Sequence, residues 1–342
     1  MNRHLISVTG SGVILLGNEV SCDGFHREYP VRIQTHIHHD HMINFETSKG
    51  KQDIYLTNET LQLLIADHNA DLPIRSNLKP ISCGDQFLIN SSLVTFFTAN
   101  HMLGAVQVAV ELPEGIRLGY SGDFQWPLDK VIEVDQLVLD STYGSPKSIR
   151  RYTQGEADYC LLQTVIEKLR FGPIHIKSHR GTIQRGLQAL SEIENCVFLA
   201  SDKLCREIQV YREFGYSIGP VISINSPEGK SALQTNRYIR VFGKGDQLPL
   251  QMNPVTTITL SAYRTQPDSP IMEFSDRFYG IALSNHADFE GTLEYVQATG
   301  AKFVVTDNSR GGHAVELAIE IHKRLGIEAI PSEAEISKEW GG

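Results

Sequence analysis

The sequence predicts an α/β protein in which a second α/β region is inserted into a β-rich host domain. Short β-rich segments separated by turns run to about residue 144, and helices and strands alternate over 145–272. A pattern like that of the first segment returns over 273–342. A chain of 342 residues with 41% hydrophobic composition can bury a sizeable core, and its length favours two domains or one domain with a large insertion. We therefore expect the segments 1–144 and 273–342 to form one domain around an inserted domain at 145–272.

Strands are predicted where short runs of apolar and β-branched residues are bounded by Gly, Pro, Asp or Asn. In the first segment these runs lie at residues 13–16, 31–33, 54–56, 93–97, 106–110, 116–120 and 137–139. In the middle segment we predict helices over 156–169, 182–190 and 203–214 and strands over 174–176 and 197–199. Such alternation is typical of a parallel sheet with crossover helices. The last segment is predicted to contain strands at 279–283 and 303–306 and helices near 291–298 and 314–325.

The composition excludes several classes of protein. The net charge of −9 counts against a protein that coats nucleic acid through a broad basic face, although carboxylates that bind cations add to this total. No stretch approaches the roughly 20 apolar residues of a membrane span, and the N-terminus lacks the pattern of a signal peptide. We therefore expect a cytoplasmic protein with no membrane partner. The five cysteines include no CxxC pair, so neither a disulfide framework nor a zinc ribbon is predicted.

A dense group of metal-binding side chains follows the strand predicted at 31–33. Four imidazoles and one carboxylate lie within the six residues 36–41. On an extended strand end His36 and His38 point to the same face, and a tight turn brings Asp40 and His41 toward a second metal. His39 is expected to point away. Imidazole and carboxylate suit Zn, Mn or Fe, and Zn is the commonest of the three.

The spacing His-x-His-x-Asp-His resembles the signature of the metallo-β-lactamase superfamily, and two further motifs follow in that family's order. His101 lies in Thr-Ala-Asn-His-Met-Leu-Gly-Ala, and Asp123 lies in Tyr-Ser-Gly-Asp-Phe. The resemblance implies an αββα sandwich that binds two divalent metal ions, most often Zn with Mn as the alternative. It also implies the ligands: one metal is held by His36, His38 and His101, the other by Asp40 and His41, and Asp123 bridges both.

Two later motifs resemble those of the β-CASP branch, the nucleases that include Artemis, RNase J and the polyadenylation endonuclease. Asp140 lies in Leu-Val-Leu-Asp-Ser-Thr-Tyr-Gly, and His286 lies in Ser-Asn-His-Ala-Asp-Phe. The resemblance implies that His286 contacts the scissile phosphate, that Asp140 orients it, and that the region between them is the β-CASP domain. Asp40, Asp140 and His286 are thus the candidate catalytic residues.

The sequence departs from the β-CASP pattern in two places. Where many members end a strand with a metal-binding histidine, this chain has Asp307, which we predict to be a ligand, with an Asx turn as the alternative. His313 is the competing candidate for that metal and otherwise a candidate substrate contact. The family's Gly-Arg-Ala-Gln-Glu helix start is matched only at Gly181 and Gln184. Because free backbone N–H groups at a helix start favour anions, we predict that these two residues, with His179 and Arg180, bind phosphate.

These motifs predict a metal-dependent nuclease in which a metal-activated water attacks phosphorus while His286 stabilises the transition state or protonates the leaving oxygen. The chain lacks an appended RNA-binding module and in this respect resembles the small prokaryotic ligase-associated exonucleases. This resemblance favours DNA as the substrate and a role in DNA repair over RNA processing. Two alternatives stay open. One is a metallo-β-lactamase-fold hydrolase of a small ester, thioester or phosphodiester, and the other is a non-catalytic β-CASP member that binds nucleic acid or protein.

Overall fold

The computed structural model describes residues 4–68, 71–248, 255–263 and 266–333. It divides into two compact units. Unit 1 contains Met1–Ile65, Asn69–Ile149 and His286–Gly342, and unit 2 contains Ala66–His68 and Arg150–Asn285. Within the described ranges no helix is both long and apolar enough to cross a bilayer. All five cysteines are free thiols.

The described residues form twenty strands and seven α-helices. The strands are β1 (Ile6–Val8), β2 (Ile14–Leu16), β3 (Val20–Cys22), β4 (Val31–Ile33), β5 (Asp53–Leu56), β6 (Leu78–Pro80), β7 (Gln86–Ile89), β8 (Ser92–Thr98), β9 (Val106–Glu111), β10 (Arg117–Tyr120), β11 (Gln136–Leu139), β12 (Ile174–Lys177), β13 (Val197–Ala200), β14 (Val221–Ser223), β15 (Tyr238–Phe242), β16 (Thr256–Leu260), β17 (Ile271–Ser275), β18 (Phe278–Ile281), β19 (Phe303–Thr306) and β20 (Glu328–Pro331). The helices are α1 (Asn58–His68), α2 (Gln154–Lys168), α3 (Thr182–Ala189), α4 (Asp202–Glu213), α5 (Pro227–Ala232), α6 (Phe289–Thr299) and α7 (Ala314–Leu325).

Unit 1 is built on two sheets. The first has the order β1-β2-β3-β4-β5-β6, and the second has the order β20-β19-β11-β10-β9-β8-β7. Side chains from both sheets share one hydrophobic cluster, which includes Ile14 and Ile33 from the first sheet and Val106, Val108 and Tyr120 from the second. Burial of this cluster from water is the main force that holds the two sheets together.

The strand directions in the second sheet decide where its polar residues collect. Strand β11 pairs parallel with β10 on one side and with β19 on the other. The carboxyl ends of the three strands therefore lie at the same edge of the sheet. Asp123, Asp140 and Asp307 each follow one of these three ends.

Unit 2 is built on one sheet with the order β14-β13-β15-β12-β16-β18-β17. All neighbouring pairs in this sheet are parallel except β17 with β18, so the predicted parallel sheet with crossover helices is confirmed. A capping box begins α2: the Thr153 hydroxyl accepts from the Glu156 backbone N–H, and the Glu156 carboxylate accepts from the Thr153 N–H.

The predicted elements of unit 1 mostly lie where the sequence places them, but the strand predicted at 279–283 does not. It is β18, which pairs parallel with β16 in the sheet of unit 2. The chain therefore leaves unit 2 after Asn285. Tertiary pairing decides this assignment, because a four-residue apolar strand carries no signal for the sheet it joins.

Candidate metal centre

Three histidines and one aspartate converge in unit 1 from three strand ends. His36 and His38 follow β4, His101 follows β8, and Asp123 follows β10. One donor atom from each lies within 4.8 Å of all the others. His38 Nδ1 lies 3.2 Å from His36 Nε2 and 3.0 Å from His101 Nε2, and Asp123 Oδ2 lies 3.5 Å from each of those Nε2 atoms. We call these four residues the histidine cluster.

Asp23, which the sequence analysis missed, fixes the tautomers of two histidines. Its Oδ2 accepts from His41 Nδ1 at 2.7 Å and from the Thr35 hydroxyl at 2.7 Å, and that hydroxyl lies 3.0 Å from His36 Nδ1. Because the Thr35 proton goes to Asp23, His36 Nδ1 donates to Thr35, and in both rings Nε2 is the nitrogen that is left to bind a cation. A carboxylate behind an imidazole is the usual support of a metal-binding histidine.

His41 provides the sharpest test of whether the site fits a cation. Its Nε2 is buried and has no hydrogen-bond partner among the described residues, although Asp123 Oδ1 lies 3.3 Å away. A buried ring nitrogen is costly unless a partner satisfies it. The two oxygens of Asp123 thus face different groups, Oδ2 the histidine cluster and Oδ1 His41. Three imidazole nitrogens and a carboxylate oxygen, which the histidine cluster supplies, form a donor set suited to zinc.

Charge pairing dominates the titration of these groups. Burial lowers the pKa of His41, but the carboxylates of Asp123 and Asp23 outweigh it and raise that pKa to about 10. Burial raises the pKa of Asp123, but the His41 and His36 imidazoles hold it well below its usual range. Burial, together with the neighbouring His36 and His101 rings, places the pKa of His38 well below its usual value. Without a metal the His41 ring is therefore protonated at neutral pH, and a cation bound at its Nε2 would displace that proton, because an ionised carboxylate and a neutral imidazole are the forms that bind metal ions.

Two fully buried side chains, Arg32 and Gln34, hold the backbone of the 36–41 loop through hydrogen bonds. Gln34 Nε2 donates to the carbonyl oxygens of His36 at 2.6 Å and His41 at 3.0 Å. Arg32 donates to Gln34 Oε1, to the His41 carbonyl at 3.2 Å and to the Ile43 carbonyl at 2.8 Å. These hydrogen bonds fix the conformation of the loop without any bound ligand, so the histidines are preorganised for a cation.

A glycine allows Asp123 to reach the cluster. Gly122 has a φ of 55°, and a Cβ at this position would lie 2.6 Å from the Val106 carbonyl oxygen. Only glycine fits this turn without displacing β9. The sequence Ser-Gly-Asp after β10 is therefore a structural requirement for the position of the carboxylate.

Asp140 and His286 form a second group beside the histidine cluster, which we call the dyad. His286 Nδ1 lies 2.9 Å from Asp140 Oδ2, and its Nε2 lies 3.9 Å from Asp123 Oδ2. Asp140 Oδ1 accepts from both the backbone N–H and the hydroxyl of Thr142, at 2.8 and 2.7 Å. On the other side, the Ala287 N–H donates to the Phe124 carbonyl at 2.7 Å, which ties the His286 segment to the Asp123 turn.

The structure places Asp40 less centrally than its neighbours. Its side chain is 54% exposed, and its Oδ2 lies 3.8 Å from His41 Nε2. His39 is exposed at the surface of the loop. Asp40 can therefore reach toward the Nε2 of His41, but it is not part of the histidine cluster.

Asp307 has other partners than the sequence analysis expected. Its Oδ1 accepts from the Ser309 backbone N–H at 2.8 Å and from the Ser309 hydroxyl at 2.5 Å, which is the Asx turn of the alternative interpretation. Its Oδ2 pairs with the Arg310 guanidinium. The competing candidate His313 is exposed, and its Nδ1 lies 3.9 Å from Glu316.

The predicted phosphate-binding residues lie in unit 2 at the start of α3. Arg180 forms a bidentate pair with Glu207 at 2.7 and 3.0 Å and also contacts Asp67 at 3.0 Å, so its charge is neutralised within the unit. Gln184 Oε1 accepts from the Gly181 N–H at 2.7 Å. The Nε2 of Gln184 is buried without a hydrogen-bond partner in the described parts of the chain. His179 precedes this turn.

Sequence reasoning missed the residues that hold the candidate site residues in place: Asp23, Arg32, Gln34, Thr142 and Arg310. Their signal was present but weak. Asp23 is a carboxylate at the end of an apolar strand and before a glycine, and Arg32 and Gln34 are polar residues inside a predicted strand or directly after it. Buried polar residues of this kind are retained only where a hydrogen-bond network satisfies them.

Comparison with known proteins places the chain in a family. No family model matches it. It is 32% identical over 112 residues to the uncharacterized protein of the lig 3′ region of Acidianus ambivalens, and the match covers 32% of this chain and 79% of that protein. It is 30% identical over 120 residues to the DNA cross-link repair protein SNM1 of Arabidopsis thaliana, 33% of this chain and 24% of SNM1. It is 26% identical over 139 residues to the RNase J-like protein of Methanocaldococcus jannaschii, 34% of this chain and 32% of that protein.

SNM1 and the RNase J-like protein are both β-CASP members of the metallo-β-lactamase superfamily. The chain belongs to this branch. A crystal structure of a protein of unknown function from Enterococcus faecalis has the same fold, with a TM-score of 0.60, 14% identity, and coverage of 90% of this chain and 81% of that one. This β-CASP chain matches only about a quarter and a third of the two relatives with named activities, so membership supports a metal-dependent hydrolase and leaves the substrate undetermined.

Proposed function

We propose that this chain is a metal-dependent nuclease that hydrolyses phosphodiester bonds of nucleic acid. The observation that carries the proposal is the dyad beside the histidine cluster, with His286 Nε2 at 3.9 Å from Asp123 Oδ2 and Nδ1 bound to Asp140. An imidazole whose second nitrogen is tied to a carboxylate adds a proton donor for a leaving oxygen.

We also propose that unit 1 is the αββα metallo-β-lactamase sandwich and unit 2 the inserted β-CASP domain. The shared core of the two sheets supports the first assignment. The second is supported by the chain order, since unit 2 is largely the continuous segment Arg150–Asn285 between Asp140 and His286.

The donor sets support two cation positions. The first is the histidine cluster, and the second consists of His41 Nε2, Asp123 Oδ1 and the carboxylate of Asp40, with Asp123 between the two. Zinc suits both donor sets, and manganese is the alternative. Divalent cations bound at these positions would acidify water and offset the negative charge on phosphoryl oxygens.

The protein's own groups would then orient the substrate and move one proton. His286 Nδ1 donates to Asp140, and the carboxylate stabilises the ring when Nε2 is also protonated. Nε2–H then donates to the departing oxygen of the phosphodiester. Thr142 holds the other oxygen of Asp140, so the dyad keeps its direction.

A contact to a further phosphate of the strand is proposed at the start of α3. The Nε2 of Gln184, which is buried without a hydrogen-bond partner among the described residues, is the donor that supports it, and the dipole of α3 favours an anion at the same end. Arg180 would act indirectly, by bracing the turn through Glu207 and Asp67.

DNA is the substrate that we favour. One relative is named for DNA cross-link repair and another for its place in a ligase region, whereas the third is named RNase J-like and keeps RNA as the second candidate. An exonuclease role in DNA repair is the narrower form of the proposal.

The test is a cleavage assay of zinc- or manganese-loaded protein on labelled single-stranded DNA, duplex DNA and RNA of one sequence. His286→Ala should keep its metal content and thermal stability while single-turnover cleavage falls about 10²–10³-fold, the usual cost of one preorganised donor. His322→Ala, an exposed histidine in the same unit, is the matched control. Cleavage by His286→Ala at the wild-type rate, or hydrolysis of a thioester with none of nucleic acid, would favour the small-ester hydrolase instead.

A further inference from the structure

Arg310 is a buried cation whose three side-chain nitrogens all have partners within unit 1. Its side chain is 9% exposed. Its Nε donates to the Asp40 carbonyl at 3.2 Å and its Nη2 donates to the Gly12 carbonyl at 2.6 Å, while Nη1 pairs with Asp307. A guanidinium stays charged at every accessible pH. The charge is therefore permanent, and it is not available to a substrate.

The position of this charge matters because it adjoins the second cation position. The Asp40 carbonyl that Arg310 contacts belongs to the residue directly before His41. A permanent positive charge in contact with the backbone that joins Asp40 to His41 opposes a divalent cation bound by these two residues.

Arg310 also determines what Asp307 can do. With one oxygen held by Ser309 and the other by Arg310, the carboxylate has its lone pairs directed at protein donors. A carboxylate at the end of β19 is otherwise well placed to bind a cation, because Asp123 follows the end of β10 at the same edge of the sheet.

We propose that Arg310 sets the order of metal loading: its fixed charge weakens cation binding at the second position and keeps Asp307 as its own counter-ion, so that the histidine cluster loads first. This inference rests on the two cation positions of the proposed function. It assigns Arg310 to control of metal occupancy rather than to substrate binding.

The experiment is a calorimetric titration of chelator-stripped protein with zinc chloride, in the absence of substrate. Wild type should show two binding events that differ at least ~10-fold in affinity. Arg310→Gln removes the repulsion and frees Asp307, so the second event should tighten ~10-fold or more while the first stays within about threefold. Arg324→Gln, which removes an exposed arginine of the same unit, is the matched control and should behave as wild type.

A second measurement does not require Arg310 to be replaced. Cobalt(II) can be titrated into wild type and Asp307→Asn, and the visible absorption of the second equivalent reports its ligands. If Asp307 is only the counter-ion, Asp307→Asn should leave the band positions unchanged and weaken the second event, because the Arg310 charge is then unpaired. Shifted bands would make Asp307 a ligand and overturn the proposal.

Other outcomes are equally decisive. Equal affinities for two zinc ions in wild type, or a second event that weakens in Arg310→Gln, would refute the role of Arg310 and leave the nuclease proposal standing. Failure of folded wild type to bind any zinc or manganese would instead refute the metal centre itself. Circular dichroism of each variant establishes that folding is intact before the titrations are compared.

Discussion

Replacing Asp23 by Asn should weaken metal binding although Asp23 touches no proposed metal position. The carboxylate is completely buried and accepts four hydrogen bonds, from the Thr35 N–H, the Thr35 hydroxyl, Gln34 Nε2 and His41 Nδ1, at 2.7–3.3 Å. An amide offers one acceptor oxygen and turns two N–H donors toward donors that are already there. The His41 ring then loses the partner that keeps its lone pair on Nε2.

The expected loss of stability in Asp23→Asn follows from the pKa of the Asp23 carboxyl group. Burial raises the pKa of Asp23, but the His41 imidazole outweighs it and lowers the pKa from 3.8 to about 2. The ionised form therefore stabilises the fold above about pH 4, and this stability is lost as the pH falls from about 4 to about 2. A shift of this size corresponds to about 2 kcal/mol at neutral pH. With the unmatched donors added, Asp23→Asn should cost about 2–4 kcal/mol in the free energy of unfolding.

Two measurements check this prediction. Urea unfolding of chelator-stripped protein at pH 7 gives the loss of stability, and competition with a chromophoric chelator gives the zinc affinity, which should fall about 10–100-fold. Asp135→Asn is the matched control, because Asp135 is a partly exposed carboxylate of unit 1 that pairs with Lys302 at the surface. Asp23→Asn with zinc affinity within about threefold of wild type would refute the role given to Asp23.

Three further predictions concern other supports of the fold and the site. Thr142→Val should leave zinc content unchanged and slow single-turnover cleavage about fivefold, since one hydrogen bond to the dyad is lost; an unaltered rate would remove Thr142 from the site. His175 is buried in β12, where burial and the nearby Arg240 lower its pKa to about 4. Unit 2 should therefore lose up to about 3 kcal/mol in its free energy of unfolding as the pH falls from 6.5 to 4. Urea unfolding of His175→Phe should show a flatter pH profile than wild type. Arg180→Met leaves Glu207 buried without its partner and should lower the unfolding free energy by about 3–5 kcal/mol; a variant that unfolds like wild type but binds oligonucleotides less well would instead make Arg180 a phosphate contact.

The candidate ligands of this site can be predicted from the sequence better than the residues that hold them in place. The spacing of residues 36–41 predicts which side chains meet, because strand geometry sets the direction of His36 and His38 and the following turn that of His41. Asp123 and His286, in contrast, are predicted only through the family resemblance. Asp123 lies at the same sheet edge as Asp140 because β10 and β11 pair in parallel, and His286, which follows β18, joins them through its contact with Asp140. These contacts connect segments that lie far apart along the chain.

The helices and strands of unit 2 illustrate a different limit. Residues 216–275 contain α5 and four strands, β14 to β17, which the sequence analysis did not predict. These strands are three to five residues long and begin in segments rich in Pro, Gly, Ser and Asn. Periodicity cannot be measured over so few residues, so tertiary pairing rather than local preference determines them.

Four buried or partly buried aspartates follow strands of unit 1, yet each has a different role in the structure. The partner of each carboxylate decides that role. Asp23 faces a histidine Nδ1 and holds the ring, Asp123 faces imidazole Nε2 atoms on both sides, Asp140 holds His286, and Asp307 is neutralised by an arginine. The same residue type at the same kind of position is thus an orienting group, a proposed bridging ligand, a positioning group or a counter-ion. A strand-end aspartate predicts that a polar partner is present, and only the identity of that partner distinguishes a metal ligand from a structural charge.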